Sequence, residues 1–255
     1  MTTASNQDIP RKVAASQGFQ WLAAGFRLYR KSPLLLSAAF GALFGAVMAL
    51  GLIPVIGGPL SELASPLIVA GFMAAYRALD SGSEIELPNF LAGVQGPAIP
   101  LMAVGAVQLL GTLLIGQVML GMGFDPVAMM AAAKEGASPA EMQAILNQAT
   151  PALLVGLALF APLIMATWFA PALILFGGAR PATALGVSLR ARNWAAMLVN
   201  SFALGMLLFF AALVPMLLGL LVAMPILFGS LYASYQAIFA VWADDAAPYA
   251  GDNLA

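Results

Sequence analysis

The chain has 255 residues, 62% of them hydrophobic and 8% charged, with a formal net charge of −1. A soluble domain of this length carries roughly 25% charged side chains, so much of this surface must be solvated by lipid. The chain contains no Cys and no His, which removes disulfides, thiolate nucleophiles, thiolate metal sites and the usual proton carrier at neutral pH. No dense basic run marks a nucleic-acid partner.

The first sixteen residues are polar, include Asp8, Arg11 and Lys12, and read as a disordered cytoplasmic tail. The first long apolar run begins only near Pro33, which does not fit a cleavable signal peptide. Between them, GFQWLAAGFRLYRKSP places Phe19, Leu22, Phe26 and Tyr29 at helical spacing, with Gln20, Arg27 and Lys31 on another face. A basic, aromatic amphipathic helix beside a span lies in the headgroup layer, which makes Trp21, Arg27, Arg30 and Lys31 candidate contacts for anionic lipid. Ser32 is placed to cap the first span, with Pro33 in its first turn.

Six segments, approximately 33–53, 60–79, 99–121, 152–177, 195–217 and 220–242, supply the roughly 20 apolar residues that cross a core of about 30 Å. Pro66, Pro162, Pro171 and Pro225 inside them are tolerated where neighbouring helices re-satisfy the freed carbonyls. The fold class is all-α: one polytopic domain of six transmembrane helices, about 17–243, followed by a cytoplasmic tail, 244–255. Residues 124–150 read as two short helices on the far side, the first opened by Asp125-Pro126 and the second by the capping box Ser138-Pro139-Ala140-Glu141. Met119, Met122, Met129, Met130 and Met142 lie in and near this segment. Thioethers suit Cu(I), but Met also fills irregular apolar gaps and no His or Cys supports a site, so no metal or other cofactor is expected.

Basic residues set the orientation. Arg11, Lys12, Arg27, Arg30, Lys31, Arg77, Arg180, Arg190 and Arg192 fall on one side of the six spans and Lys134 alone on the other. Both termini are therefore expected in the cytoplasm.

An offset of 161 positions lays Gly25, Leu28, Lys31 and Ser32 over Gly186, Leu189, Arg192 and Asn193, and Leu52-Ile53-Pro54 over Leu213-Val214-Pro215. After a two-residue deletion Pro66 meets Pro225, and Ala74-Ala75-Tyr76 meets Ala233-Ser234-Tyr235. Residues 25–76 and 186–235 thus form an internal duplication. Two spans lie between the units, so the repeats are parallel, related by a pseudo-twofold axis along the membrane normal. Arg190 and Arg192 of the second unit join the candidate lipid contacts.

Ionisable groups inside a membrane are functional candidates by default, and here they are Glu62 and Arg77. Arg77 can snorkel to the headgroups. Ser61 and Glu62 stand near the start of span 2, where a cap and the helix dipole favour them; proton or cation handling by Glu62 is the alternative. Gln108 and Gln117 are nine residues apart, about half a turn around a helix, so they cannot line one pathway. With Thr167, Asn200, Ser230 and Ser234 they suit hydrogen bonds between helices. No Gly-rich phosphate loop or nucleophile–base pair is present in the sequence.

The order of GFRLYRKSP, LIPVIG, SPLIVAGFMAAYRALDSG, WFAPALILF, PATALGVSLRARNW and LYASYQAIF resembles the BPSS-type family of uncharacterised inner-membrane proteins of Gram-negative bacteria. It is more distantly similar to the membrane domains that accompany bacterial glycerophosphodiester phosphodiesterases. The resemblance implies a six-span inner-membrane bundle with a bias toward lipid-related work. The expected function is non-enzymatic organisation or assistance of membrane components through the basic face. The alternative is a small permease for an apolar or lipid-like solute, working through a cleft between the two units.

Overall fold

The computed structural model describes residues 10–191 and 193–244, with side-chain detail up to residue 239. Arg192, one of the expected lipid contacts, and residues 1–9 and 245–255 of the expected tails lie outside the described residues. All regular structure among the described residues is helical: α1 (Gln17–Tyr29), α2 (Pro33–Gly51), α3 (Gly57–Asp80), α4 (Leu87–Gln95), α5 (Ala98–Gly121), α6 (Pro126–Lys134), α7 (Pro139–Trp168), α8 (Ala170–Gly177), α9 (Pro181–Arg190), α10 (Trp194–Ala212) and α11 (Leu220–Asp244). Six segments are long and apolar enough to cross a membrane: α2, α3, α5, α7 with α8 as one broken span, α10, and α11 through Phe239. Helices satisfy every backbone group internally, which is the condition for lying in hydrocarbon.

The far-side segment differs from the expectation of two short helices. The capping box is formed, with Ser138 N–H donating to the Glu141 carboxylate at 2.7 Å and Glu141 N–H to Ser138 Oγ at 3.3 Å. The helix it opens does not stop but runs on for 30 residues as α7, about 45 Å at 1.5 Å per residue. That exceeds the hydrocarbon thickness, so the capped end stands clear of it. At the other end Pro171 breaks the span into α7 and α8. The break is stitched by Ser188 of α9, whose hydroxyl accepts from Phe169 N–H at 3.1 Å and donates to the Met165 carbonyl at 2.6 Å. One hydroxyl thus stands inside an opened helical hydrogen bond.

The duplication is visible in the backbone. Val55 and Met216, equivalent under the 161-residue offset, both follow a proline and both take positive φ, 68° and 57°. A β-branched valine there is strained, so the turn must be imposed by the helices on either side. Each turn is also drawn tight at a glycine: a Cβ on Gly57 would strike the Leu50 carbonyl, and one on Gly219 the equivalent Ala211 carbonyl.

The middle spans, expected to stand outside the duplication, take a place in the same arrangement. Three short helices on the basic face, α1, α4 and α9, each precede a pair of spans and each pack on the pair before them in cyclic order. α4 lies on α3, α9 on α7 and α8, and α1 on α10 and α11. A Cβ on Gly93 of α4 would meet the Leu67 carbonyl, and one on Gly25 of α1 the Ile226 carbonyl. Leu67 and Ile226 each follow one of the matched prolines, Pro66 and Pro225, so the same lock is used twice. The first helix of the chain closes the ring on the last pair. At the centre α3, α8 and α11 touch one another, burying Phe72, Tyr76, Phe169, Leu173, Tyr232 and Tyr235. The two units are therefore two members of a ring of three rather than halves about a twofold axis.

One junction of this ring closes on a glycine, Gly105 of α5 against the backbone of Glu62 and Leu63; at another, Gly41 of α2 faces the Leu221 side chain, with room for a Cβ at ordinary contact distance. The residue of α10 aligned with Gly41 is Phe202, which is 69% exposed. α10 packs mainly on α1, α11 and the short turn Pro215–Leu217.

The expectation that α1 is an interfacial helix changes at this point. Its buried stripe is Gly18, Trp21, Gly25, Leu28 and Tyr29, turned toward α10 and α11. Trp21, read as a lipid contact, is 3% exposed and belongs to the core. Phe19 and Phe26 are the exposed apolar residues, at 59% and 46%, and share the outer face with Arg27 and Arg30. Residues 10–16, expected to be part of a disordered tail, are tied down in part: Arg11 N–H donates to the Ile238 carbonyl, and Val13 N–H to Asn193 Oδ1 at 2.9 Å.

Candidate functional site

The three central helices converge on the basic face, and each brings a side chain to one place. Arg77 comes from the last turns of α3, Phe176 from the end of α8, and Tyr232, Tyr235 and Gln236 from α11. The Arg77 guanidinium lies 4.9 Å from the Phe176 ring centroid, an interaction worth about 0.5–2 kcal/mol depending on desolvation. The Tyr235 ring packs on the same phenylalanine, with centroids 5.6 Å apart. Beside them Tyr232 Oη donates to Asp80 Oδ2 at 3.1 Å, and Gln236 Nε2 donates to Tyr232 Oη at 2.5 Å.

Two groups in this cluster have no polar partner among the described residues. Arg77 is half-buried and, among the described residues, has no carboxylate within salt-bridge distance and donates no hydrogen bond. The Tyr235 hydroxyl is buried and has no hydrogen-bond partner among them. Its counterpart in the first unit, Tyr76, donates to the Pro225 carbonyl at 2.6 Å. Leaving a buried hydroxyl unpaired costs about 1–3 kcal/mol, so the contrast between the two equivalent tyrosines is energetically significant. The arrangement gathers donors around one cation, and a phosphate or carboxylate could satisfy them together.

A basic rim surrounds this mouth. Arg27, Arg30, Lys31, Arg180 and Arg190 are exposed, Arg30 lies 6.0 Å from the Phe26 ring centroid, and Lys31 Nζ donates to the Leu79 carbonyl at 2.7 Å at the end of α3, where the helix dipole favours a cation.

The other candidates are not brought together. Glu62 is half-buried in the second turn of α3, whose N-cap is Ile56 with no side-chain cap, so neither Ser61 nor Glu62 caps the helix. Ser61 Oγ donates instead to the Gly57 carbonyl, 2.8 Å away in its own helix. Gln108 is half-buried and Gln117 exposed. Of the residues read as glue between helices, Ser230 Oγ donates to Asn200 Oδ1 at 2.8 Å across α10 and α11, whereas Thr167 and Ser234 bond carbonyls of their own helices. Sequence reasoning found Arg77 but missed Asp80, Phe176, Tyr232, Tyr235 and Gln236 as its surroundings. The recurrence of Tyr76 and Tyr235 at matched positions was the available signal.

A probable inner membrane protein of Burkholderia thailandensis is 31% identical to this chain, over 90% of this chain and 93% of its own length. No family model matches the chain. No solved structure matches it.

Proposed function

From the premise that the chain belongs to the family of this Burkholderia inner membrane protein, we propose that it is a non-enzymatic component of the bacterial inner membrane that engages anionic lipid on its cytoplasmic face. The observation that carries this reading is the concentration of exposed basic side chains, Arg27, Arg30, Lys31, Arg180 and Arg190, around one end of an otherwise apolar bundle. Each Lys or Arg near an anionic leaflet contributes about 1 kcal/mol of attraction. Phe19 and Phe26 on the outer face of α1 give the same surface an apolar anchor at headgroup level. The resemblance to phosphodiesterase-associated membrane domains leans in the same direction, toward lipid, without bringing that enzyme's catalytic residues.

The protein in nanodiscs of zwitterionic lipid with increasing phosphatidylglycerol should gain thermal stability and enrich the anionic lipid around itself. Neutralising Arg27, Arg30 and Arg190 together to Gln should abolish most of the enrichment. Equal enrichment of zwitterionic and anionic lipid by the native chain would defeat the proposal. A permease working through a cleft between the duplicated units gains no support, because Phe72 and Phe228 stack across that interface with ring centroids 4.4 Å apart.

A further inference from the structure

The basic rim accounts for a general attraction to anionic lipid, but not for the two groups inside it that lack a polar partner among the described residues. We propose that the mouth of the three central helices is a discrete binding site for one phosphate-bearing headgroup, held by the Arg77 guanidinium and the Tyr235 hydroxyl. This deepens the lipid reading above and rests on it for the leaflet that supplies the ligand.

Three observations converge. Arg77 and Tyr235 both pack on the Phe176 ring, which places the two side chains in one cluster at the end of the central helices. Phe176 supports the guanidinium without consuming its N–H donors, and no carboxylate among the described residues stands within salt-bridge distance. The nearby acidic side chain, Asp80, already accepts from Tyr232, which Gln236 holds in place. Tyr235 is 1% exposed and its hydroxyl has no partner among the described residues, while the equivalent Tyr76 is hydrogen-bonded. A hydroxyl and a guanidinium in one cluster, each without a polar partner among the described residues, mark a place where an oxyanion would satisfy both. A planar guanidinium presents a fork of donors that fits phosphate geometry. The site lies near the end of α3 on the basic face, the level at which a lipid phosphate would stand if its acyl chains follow the bundle.

The test uses the full chain in detergent, read by native mass spectrometry for retained lipid. Its probes are dioleoyl-phosphatidylglycerol, the matching phosphatidylcholine, glycerol 1-phosphate and inorganic phosphate. One phosphatidylglycerol should be retained more tightly than the rest. Arg77→Gln should weaken that single site roughly tenfold, the scale of a lost charged hydrogen bond. Tyr235→Phe, which keeps the ring and its packing, should weaken it several-fold while leaving thermal stability intact. The triple rim variant should lose general enrichment but keep the single tight lipid. Displacement by glycerol 1-phosphate or inorganic phosphate at millimolar concentration would identify a free phosphate anion, rather than the lipid, as the ligand of the same two groups. If the native chain retains no lipid above the exchangeable background and binds neither anion, or if Arg77→Gln binds as the native chain does, the site is refuted even where rim-dependent enrichment persists. Absence of enrichment with retention of the single tight lipid would instead refute the broader reading alone.

Discussion

At the scale of single residues, glycine does more here than any charged side chain, and this is where sequence pattern is weakest. The apolar spacing of Phe19, Leu22, Phe26 and Tyr29 points to one face of α1, yet the face that packs is the one carrying Gly18 and Gly25. A glycine contributes nothing to a hydropathy pattern, but it lets two backbones approach, and close approach is what helix association in lipid depends on. Trp21 was misplaced for the same reason, since it shares the glycine face and is buried with it. A Cβ at Gly25 would overlap backbone atoms of Ile226, Gly229 and Ser230, which cannot rotate away as a side chain can. Gly25→Ala should therefore cost about 1–3 kcal/mol or more. Gly45 of α2 is the control, because a Cβ there meets nothing within 4 Å, and Gly45→Ala should be neutral or stabilise by up to about 1 kcal/mol through helix propensity. Thermal unfolding of the two variants side by side in one detergent decides it: similar midpoints would contradict the packing of α1.

At the scale of elements, the long apolar segments were legible because lipid demands continuous hydrophobicity, and six spans are found where six were expected, the fourth starting well before residue 152, at Pro139. Ends and breaks were harder to read. Whether the Ser138 box opened a separate helix or the start of α7 depended on residues 145–152 continuing in helical geometry, and nothing in a polar-to-apolar transition marks a stop. The docking of residues 10–16 was invisible for a different reason: it is made by backbone groups. Asn193 accepts from Val13 N–H and donates through Nδ2 to the Arg11 carbonyl at 2.7 Å. Its buried side chain, 4% exposed, has both ends of its amide engaged by a segment 180 and 182 residues away in the chain. Asn193→Ala removes both bonds, each worth about 0.5–1.5 kcal/mol. Limited trypsinolysis should then cut after Arg11 and Lys12 markedly faster than in the native chain, with no change in cleavage after Lys134. Unchanged rates at the first two sites would mean that the segment is held by something else.

At the scale of the whole molecule, the duplication was readable from matched prolines and tyrosines, while the ring of three was not, because the middle pair keeps the arrangement without the sequence. Its short helix α9 is held by Ser188 at a helix break where α1 and α4 use glycine locks, so equivalent positions carry different chemistry. Orientation is the remaining whole-molecule question, and both lipid proposals depend on it. Six spans put Ser83 and Lys134 on opposite sides, and basic residues are retained on the cytoplasmic side because moving them outward opposes the membrane potential and the attraction of anionic lipid. The chain has no cysteine of its own, so single cysteines report cleanly. Ser83 and Glu135 are both exposed loop residues, on the basic face and the opposite face respectively. In intact spheroplasts a membrane-impermeant maleimide should label Glu135→Cys, and Ser83→Cys only after the membrane is opened. The reverse pattern would place Arg77 and its rim on the periplasmic leaflet. The headgroup site would then have to draw its ligand from that side, and the attraction assigned to the cytoplasmic surface would lose its basis.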